Sequence, residues 1–360
     1  MPTRLGTDGA RGDARRNEAR MTNPDDFARF ALGDFPLQSG AILRDATLAY
    51  ATCGTLDAQR RNVIVIPSAY GGTHADSTWL IGPGKAFDPA RYYIVATNMF
   101  GNGLSTSPTN AAGGQRGPDF PNVTVYDNVE AQYRLVVEHL GARSIALVAG
   151  FSMGAQQSFH WGARAPELVE RIAPFCGSAR TAEHNIVFLD GIAATLRADA
   201  AFAGGRYTQP PRVGLEAMAR VWAGWGLSQT FYREEAWRKM GFLSREAFVE
   251  DAYVASFGAG DANNYLAMLW TWRNADVGAH ARYAGDTKAA LAAIAARAVV
   301  MPAQTDLYFP PEDNAREVAA MPNAELAIIP TINGHASGGG FDDADSAWIA
   351  SRLRELLARS

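Results

Sequence analysis

The sequence has few cysteines, and this scarcity excludes a disulfide-stapled protein. Its 360 residues contain only two, Cys53 and Cys176, which lie far apart and without the spacing of metal ligands. Such sparse usage is typical of proteins that fold in a reducing compartment. We therefore expect a cytoplasmic protein without a disulfide framework, in which both cysteines are small buried apolar residues. We also expect neither a metal site nor a cofactor.

Long apolar runs and an excess of basic charge are lacking as well. No stretch of about 18 apolar residues occurs, so the sequence predicts no contact with a membrane. The 33 basic and 37 acidic residues give a formal net charge of -4 and are dispersed, which leaves no footprint for nucleic acid. The 48% of hydrophobic residues suffice for a large core. We expect an enzyme with a small-molecule substrate.

The first residues differ from the rest of the chain. Residues 1–20 carry five arginines, no lysine and no apolar stretch that could serve as the core of a signal peptide. We expect these residues to be a disordered leader. Met21 is typical of a natural start of the folded part.

One short motif stands out because a predicted strand precedes it and a predicted helix follows it. Residues 145–149 form an apolar run typical of a strand that is buried on both faces. The next five residues, Gly150-Phe151-Ser152-Met153-Gly154, have the G-x-S-x-G spacing of a nucleophile elbow. Such a turn presents its serine at a helix N-terminus, where the helix dipole and the Met153 amide can stabilise an oxyanion. The sequence therefore predicts Ser152 as a nucleophile.

Strand and helix patterns alternate on both sides of a helical stretch. Alternation over residues 37–56 predicts an antiparallel strand pair at a sheet edge. Further strands are predicted at residues 62–67, 92–97, 145–149, 171–177, 298–301 and 326–329, with helices at 123–140, 286–295 and 346–357. This rhythm indicates a mostly parallel central sheet built from residues 21–183 and 286–360.

Residues 184–285 interrupt this rhythm with helical patterns and almost no strand signal. We expect them to form an inserted helical lid. Five of the eight tryptophans fall in this segment: Trp222, Trp225, Trp237, Trp270 and Trp272. Two interpretations stay open, because the rings could form a small helical core or could line a pocket or a subunit interface.

Three residues have the chain order of a hydrolase triad. The α/β-hydrolases supply their triad as Ser, then Asp or Glu, then His, each from a loop after a strand, and Ser152, Asp306 and His335 follow this order. A serine hydroxyl needs a base at neutral pH, for which imidazole is suited, and Asp306 would orient that imidazole. Three acids after the histidine are interpreted instead as solvated residues at a helix start: Asp342, Asp343 and Asp345.

The loop after residues 62–67 is predicted to supply the second oxyanion donor, because open α/β sheets place ligands at the carboxyl ends of their strands. We assign this role to the amide of Ala69, beside that of Met153. Tyr70, His74 and Phe151 are predicted to line the substrate pocket. His74 lies too early in the chain order to be the base of the triad.

With these residues placed, the chain resembles the homoserine O-acetyltransferase family of α/β-hydrolases from about residue 37 to residue 357. The similarity lies in residues 80–88 (LIGPGKAFD), 150–154 (GFSMG), 261–266 (DANNYL), 306–311 (DLYFPP) and 334–335 (GH). The resemblance implies the α/β-hydrolase fold, with a mostly parallel central sheet and an inserted helical lid. It also implies a serine triad, an acyl-serine intermediate and a homodimer formed through lid helices.

Two positions depart from the transferase pattern. Homoserine-using members carry an acidic residue directly after the histidine, suited to hold the substrate ammonium, whereas this chain has Ala336. Their oxyanion loop typically reads Leu-Thr-Gly, whereas residues 69–71 read Ala-Tyr-Gly. Losing a carboxylate partner would cost a charged substrate several kcal/mol. We add Ala336 and Tyr265 to the predicted pocket.

We therefore predict a serine esterase on the esterase-like branch of this family, which hydrolyses small neutral esters, acetate esters above all. The alternative is a homoserine O-acetyltransferase or a related O-acyltransferase, for which acetyl-CoA would be a co-substrate. The two enzymes would share the acyl-serine and differ in what deacylates it. A non-catalytic binding module on the same fold is the third hypothesis.

Overall fold

A single sheet organises the part of the chain that the structure describes. The structure is a computed structural model and describes residues 26–359, so the predicted leader at residues 1–20 lies outside the described residues. The strands are β1 (Ala28–Pro36), β2 (Ile42–Cys53), β3 (Val63–Pro67), β4 (Tyr93–Thr97), β5 (Ile145–Phe151), β6 (Arg171–Phe175), β7 (Arg297–Val300) and β8 (Ala324–Leu326). Their order is β1-β2-β4-β3-β5-β6-β7-β8. The pairs β1–β2 and β2–β4 are antiparallel and the others parallel.

Alternate residues of β3 pack on opposite faces of the sheet. Val63 and Val65 belong to one buried cluster, whereas Ile64 and Ile66 belong to another. All five residues of β3 are buried. A strand can be buried in this way only if both faces of the sheet are covered, as a β-branched run in a parallel sheet predicts.

Helices pack on both faces of the sheet. In chain order they are α1 (Val125–Tyr133, continued by a π-helical segment Arg134–His139), α2 (Met153–Arg164), α3 (Glu183–Ala198), α4 (Arg212–Gly226), α5 (Gln229–Arg233), α6 (Arg245–Phe248), α7 (Ala255–Gly258), α8 (Ala262–Arg273), α9 (Thr287–Ala292), α10 (Pro311–Val318) and α11 (Asp343–Ala358). Helices α1 and α2 pack on the Val63 face and α11 on the Ile64 face. The predicted α/β-hydrolase fold class is confirmed. Among residues 26–359 no helix combines the length and apolar character that crossing a membrane requires.

The strands at the two sheet edges differ from the prediction. The predicted pair at residues 37–56 is instead β1, which lies before this range, and the single long strand β2. Only Phe35 of β1 is fully buried and its pairing is irregular around Gly33, so its alternation is weak. At the other edge β8 ends at Leu326, before the predicted end at residue 329. Pro302 in the neighbouring segment has no N–H to donate, and only an isolated bridge between Ala303 and Ile329 follows.

Helices α3 to α8 follow one another between β6 and β7 and form the helical insertion, whose first helix begins at Glu183, one residue before the predicted start. Its helices α3, α4 and α8 bring together a large buried cluster that includes Trp222 and Trp272. The same cluster contains Met153, the first residue of α2, and Tyr308, which belongs to a loop at the carboxyl edge of the sheet. The insertion therefore packs directly against the place where the predicted triad residues lie.

Candidate active site

The turn between β5 and α2 holds Ser152 in a backbone conformation that is rare for a residue with a side chain. Its φ is 56° and its ψ is −120°. This turn requires glycine at the positions two residues before and two residues after Ser152, because neither position has room for a side chain. A Cβ on Gly150 would lie 2.4 Å from the backbone of Gly154, and a Cβ on Gly154 would lie 2.4 Å from the carbonyl oxygen of Pro67. The strained turn is a feature of nucleophile elbows.

The structure brings the three predicted triad residues together in one hydrogen-bonded series. Ser152 Oγ lies 2.9 Å from His335 Nε2, and His335 Nδ1 lies 2.8 Å from Asp306 Oδ2. The other carboxylate oxygen of Asp306 accepts hydrogen bonds from the amides of Tyr308, at 2.8 Å, and Phe309, at 3.1 Å. An ionised Asp306 fixes the tautomer in which Nδ1 of His335 carries the proton and Nε2 is free to accept one from Ser152.

Additional hydrogen bonds join the loops that carry Asp306 and His335. The hydroxyl of Thr305 accepts from the Gly334 amide at 3.1 Å and donates to the Thr331 carbonyl at 3.0 Å. Neighbours of both residues are thus held by one side chain. Sequence reasoning missed Thr305, although its place beside Asp306 was a usable signal.

Asp345 lies in the first turn of α11, as predicted, but the interpretation of this residue as solvated is wrong. Its side chain is buried and accepts hydrogen bonds from Thr331 Oγ1 and Asn333 Nδ2, both at 2.8 Å. Burial raises the pKa of its carboxyl group. Asp342 does cap α11, because its carboxylate accepts the amides of Ala344 and Asp345. Asp345 therefore holds the loop that leads to His335, a role that its position inside a helical pattern concealed.

Aromatic rings surround the imidazole of His335. The ring centroids of Phe151 and Tyr308 each lie 4.8 Å from that of His335, and the centroid of Phe309 lies 5.5 Å away. Phe151 was predicted as a pocket residue, and the structure places it beside the histidine. These rings limit the access of water, so the hydrogen bonds of His335 act in surroundings of low dielectric constant.

The two predicted oxyanion donors lie on segments that meet at the elbow. Ser68 directly precedes Ala69, and it is held because its hydroxyl accepts the Met99 amide and its carbonyl accepts Gln157 Nε2. The Ala69 amide donates to no residue within 26–359. Met153 is the first residue of α2, and the first amides of a helix lack acceptors within it. Both amides are thus free to bind a further acceptor.

The other predicted pocket residues occupy three different surroundings. Tyr70 stacks on Tyr265, with ring centroids 5.8 Å apart, and both belong to the large cluster of the insertion. Ala336 packs against a second, smaller apolar cluster of the insertion. His74 is buried, and Nδ1 of its ring lies 3.1 Å from Asn98 Nδ2 in a polar network. No three His, Cys, Asp or Glu side chains of residues 26–359 are grouped as a metal site requires.

The fold and this arrangement define an α/β hydrolase whose serine, histidine and aspartate meet at the carboxyl edge of a parallel sheet. A family model described as the alpha/beta hydrolase fold matches residues 62–332, and the chain belongs to this family.

Individual relatives refine this placement. The chain is 40% identical over 333 residues to a probable esterase of Corynebacterium glutamicum. The match covers 91% of this chain and 94% of the relative. It is 38% identical over 335 residues to the ethyl acetate hydrolase of Pseudomonas veronii, with coverages of 92% and 95%. The solved structure of an acetylester hydrolase from Corynebacterium glutamicum superposes with a TM-score of 0.90 at 37% identity, covering 92% of this chain and 96% of that chain.

Homoserine O-acetyltransferases are less similar. That of Chlorobaculum parvum is 33% identical over 338 residues, with coverages of 90% and 93%. The predicted placement of the chain as a carboxylic ester hydrolase on the esterase-like branch is therefore confirmed.

Proposed function

We propose that this enzyme hydrolyses small neutral esters, acetate esters above all, through an acetyl-serine intermediate on Ser152. The observation that carries the proposal is the hydrogen-bonded series from Ser152 through His335 to Asp306 on a strained elbow. Similarity to an ethyl acetate hydrolase and to an acetylester hydrolase supports acetate as the acyl group.

In the acylation step, Ser152 Oγ attacks the carbonyl carbon of the ester while its proton passes to His335 Nε2. We assign to the amides of Ala69 and Met153 the binding of the negative charge that develops on the carbonyl oxygen. The bond from carbon to the alkoxy oxygen then breaks, and His335 gives its proton to the departing oxygen. Acetyl-serine and a neutral alcohol result, and Asp306 stays ionised throughout.

Deacylation repeats these steps with water in place of the serine. His335 accepts a proton from the water, whose oxygen attacks the acetyl carbon. The bond to Ser152 Oγ then breaks, the serine recovers its proton from His335, and acetic acid leaves and ionises to acetate in solution. Because the chain supplies the nucleophile, the base and the oxyanion donors, the proposed reaction requires neither a cofactor nor a metal.

The surroundings of Ala336 support a neutral substrate. Its side chain packs against the apolar cluster of the insertion that contains Phe231, Trp237 and Phe248. None of these side chains is a carboxylate that could form an ion pair with an ammonium group, and burying a charge without an ion-pair partner costs several kcal/mol. A charged amino acid such as homoserine should therefore be a poor acceptor of the acetyl group.

A side-by-side assay tests this function. We expect rapid hydrolysis of p-nitrophenyl acetate and ethyl acetate, together with negligible acetylation of homoserine from acetyl-CoA. Homoserine acetylation that saturates in both substrates and exceeds ester hydrolysis would contradict the proposal and favour the acetyltransferase.

We further propose that the enzyme is a homodimer joined through the helical insertion. Val187 on α3 and Val213 on α4 are 70% and 75% exposed, and Leu243 of the same insertion is 87% exposed. A contiguous exposed apolar patch is typical of a protein interface, and we propose that the neighbouring helices α3 and α4 carry such a patch. Sedimentation should give a dimer for the wild type and a monomer after Val187→Glu and Val213→Glu are combined. A monomeric wild type would contradict this assembly.

A cytoplasmic location is part of the same proposal. Neither Cys53 nor Cys176 forms a disulfide bond, and both are buried. Cysteines outside disulfide bonds are usual in proteins of a reducing compartment. Fractionation of the native host should recover the activity with the cytoplasm, and recovery outside it would contradict this location.

A further inference from the structure

Four aromatic side chains connect the two sides of the proposed reaction centre. We call Tyr70, Trp222, Trp272 and Tyr308 the aromatic roof. Tyr70 directly follows Ala69, whose amide is a proposed oxyanion donor, and the ring of Tyr308 contacts His335. Trp222 touches both ends, with ring centroids 5.1 Å from Tyr70 and 5.5 Å from Tyr308. The roof therefore extends from the oxyanion side to the histidine side.

Three hydrogen-bond donors of the aromatic roof have no partner among residues 26–359. They are the indole N–H groups of Trp222 and Trp272 and the hydroxyl of Tyr308. Trp222 is 6% exposed, Trp272 0% and Tyr308 1%. A buried donor that lacks an acceptor destabilises the folded protein, so three of them beside one reaction centre require an explanation.

An ester offers the acceptor that these donors lack. Its carbonyl oxygen is directed to the two oxyanion amides, which leaves the alkoxy oxygen as its second acceptor. The indole nitrogens of both tryptophans are buried, but the ring of Trp222 lies closer to that of Tyr70, at 5.1 Å between centroids, than the ring of Trp272 does, at 6.0 Å. The Tyr308 hydroxyl lies towards the end of α4, because a Cβ on Gly226 would stand 3.5 Å from it. Trp222 is therefore the donor best suited to reach a bound ester.

We propose that the aromatic roof is the alcohol-side subsite, in which the Trp222 indole N–H donates a hydrogen bond to the alkoxy oxygen of the ester. This proposal rests on the proposed ester hydrolysis. Negative charge develops on that oxygen as the carbon–oxygen bond breaks, so the hydrogen bond strengthens in the transition state. Trp222 transfers no proton, because His335 protonates the departing alcohol. The ring faces beside it suit a short alkyl group.

The test replaces the alkoxy oxygen by sulfur, which is a weak acceptor. Ethyl acetate and S-ethyl thioacetate are compared on the same sample of Trp222→Phe, which keeps an aromatic ring but loses the N–H. We expect kcat/KM for ethyl acetate to fall about tenfold, as for a lost hydrogen bond to a partly charged atom, and that for the thioester to fall less than about twofold. Because both esters are assayed on one sample, a loss of folded protein cancels in their ratio.

Trp270→Phe is the matched control. Trp270 lies on α8 of the insertion but lines an outer groove beside Pro121 and Leu266, away from the roof. We expect it to leave both substrates unchanged. Equal losses on the two esters in Trp222→Phe, or no loss on either, would overturn the subsite. A wild type that hydrolyses neither ester would instead overturn the proposed function.

A second measurement needs no variant and addresses the other use of an aromatic site, which is to bind a cation over the ring faces. It compares acetylcholine with 3,3-dimethylbutyl acetate, its neutral analogue of the same shape. Donors that face the substrate repel a cation, so we expect the neutral ester to have the higher kcat/KM. A preference for acetylcholine would overturn the proposal in favour of a cation site.

Discussion

Near the proposed reaction centre, the acidic side chains of the loops at the carboxyl edge of the sheet and the tryptophans of the helical insertion differ in their hydrogen bonding. In the loops, both oxygens of Asp306 accept hydrogen bonds, and the buried oxygen of Asp345 accepts two. In the insertion, the indoles of Trp222 and Trp272 are buried without a partner among the described residues. The comparison teaches that the protein's own hydrogen bonds hold the acidic side chains of the loops, whereas the tryptophans of the proposed subsite keep donors for a ligand.

The largest effect should come from removing the nucleophile, since every step of the proposed reaction passes through it. Ser152→Ala should lower kcat for p-nitrophenyl acetate by at least about a thousandfold, given the losses typical of triad residues. The thermal midpoint should stay close to that of the wild type, because only one oxygen is removed. Ser158→Ala, on the same helix α2, is the control and should retain activity. A Ser152→Ala variant above a thousandth of wild-type rate would refute the assignment.

Asp306→Asn should come next, because it keeps the shape of the loop but favours the wrong tautomer of His335. We expect a loss in kcat of about a thousandfold to ten-thousandfold. Asp342→Asn makes the same chemical change at the cap of α11 and should cost activity little. If Asp342→Asn proved the more damaging of the two, the third member of the triad would be misplaced.

Glu317 on α10 extends the comparison to stability, because it is another buried carboxyl group whose oxygens accept hydrogen bonds from the protein. It accepts the Ala179 amide and Asn314 Nδ2, each at 2.7 Å. Burial raises its pKa from 4.5 to about 8. A raised pKa in the folded state means that folding favours the protonated form. Its stabilising contribution is therefore complete below about pH 4.5 and is lost as the pH rises through about 8.

Urea denaturation at several pH values from 4.5 to 8 checks this titration. Over that range the free energy of unfolding of the wild type should fall, relative to that of Glu317→Gln, by on the order of a few kcal/mol. The difference between the two proteins removes the effect of groups that titrate in both. A difference that is independent of pH would show that Glu317 keeps an ordinary pKa.

The smallest effect should come from placing a charge in the apolar surroundings of Ala336. Ala336→Asp should slow the hydrolysis of ethyl acetate by about tenfold, which corresponds to ~1.4 kcal/mol, because the carboxylate must be desolvated against apolar side chains. Ala336→Asn introduces a side chain of similar shape without the charge, so it should lose less activity than Ala336→Asp. Equal losses in the two variants would attribute the effect to size rather than to charge.

The sequence predicted the centre of the fold better than its edges. The strands β3 to β6 are short, apolar and buried, so their local pattern carries their position. The edge strands β1 and β8 are half-exposed, and their limits depend on neighbours such as Pro302, which interrupts the pairing beside β8. The limits of such edge strands depend on their tertiary neighbours and cannot be predicted from the local sequence pattern.

The residues of the candidate active site also differ in how well the sequence predicted them. Ser152, Asp306 and His335 were predicted because chain order and loop position constrain them strongly. Asp345 was misjudged because a helix start is normally solvated, and only the packed loop shows that the chain returns over it. Trp222 could be named as one of five tryptophans, but its place between Tyr70 and Tyr308 results from tertiary packing alone.

Intact-protein mass spectrometry tests the central claim most directly. The enzyme is mixed with p-nitrophenyl acetate in the presence of homoserine and quenched in acid during the first turnovers, and the soluble products are identified in parallel. We predict an adduct of one acetyl group on the peptide that contains Ser152, its absence in Ser152→Ala, and free acetate as the product. No acetyl group on Ser152 during turnover, or O-acetylhomoserine as the main product, would contradict the account.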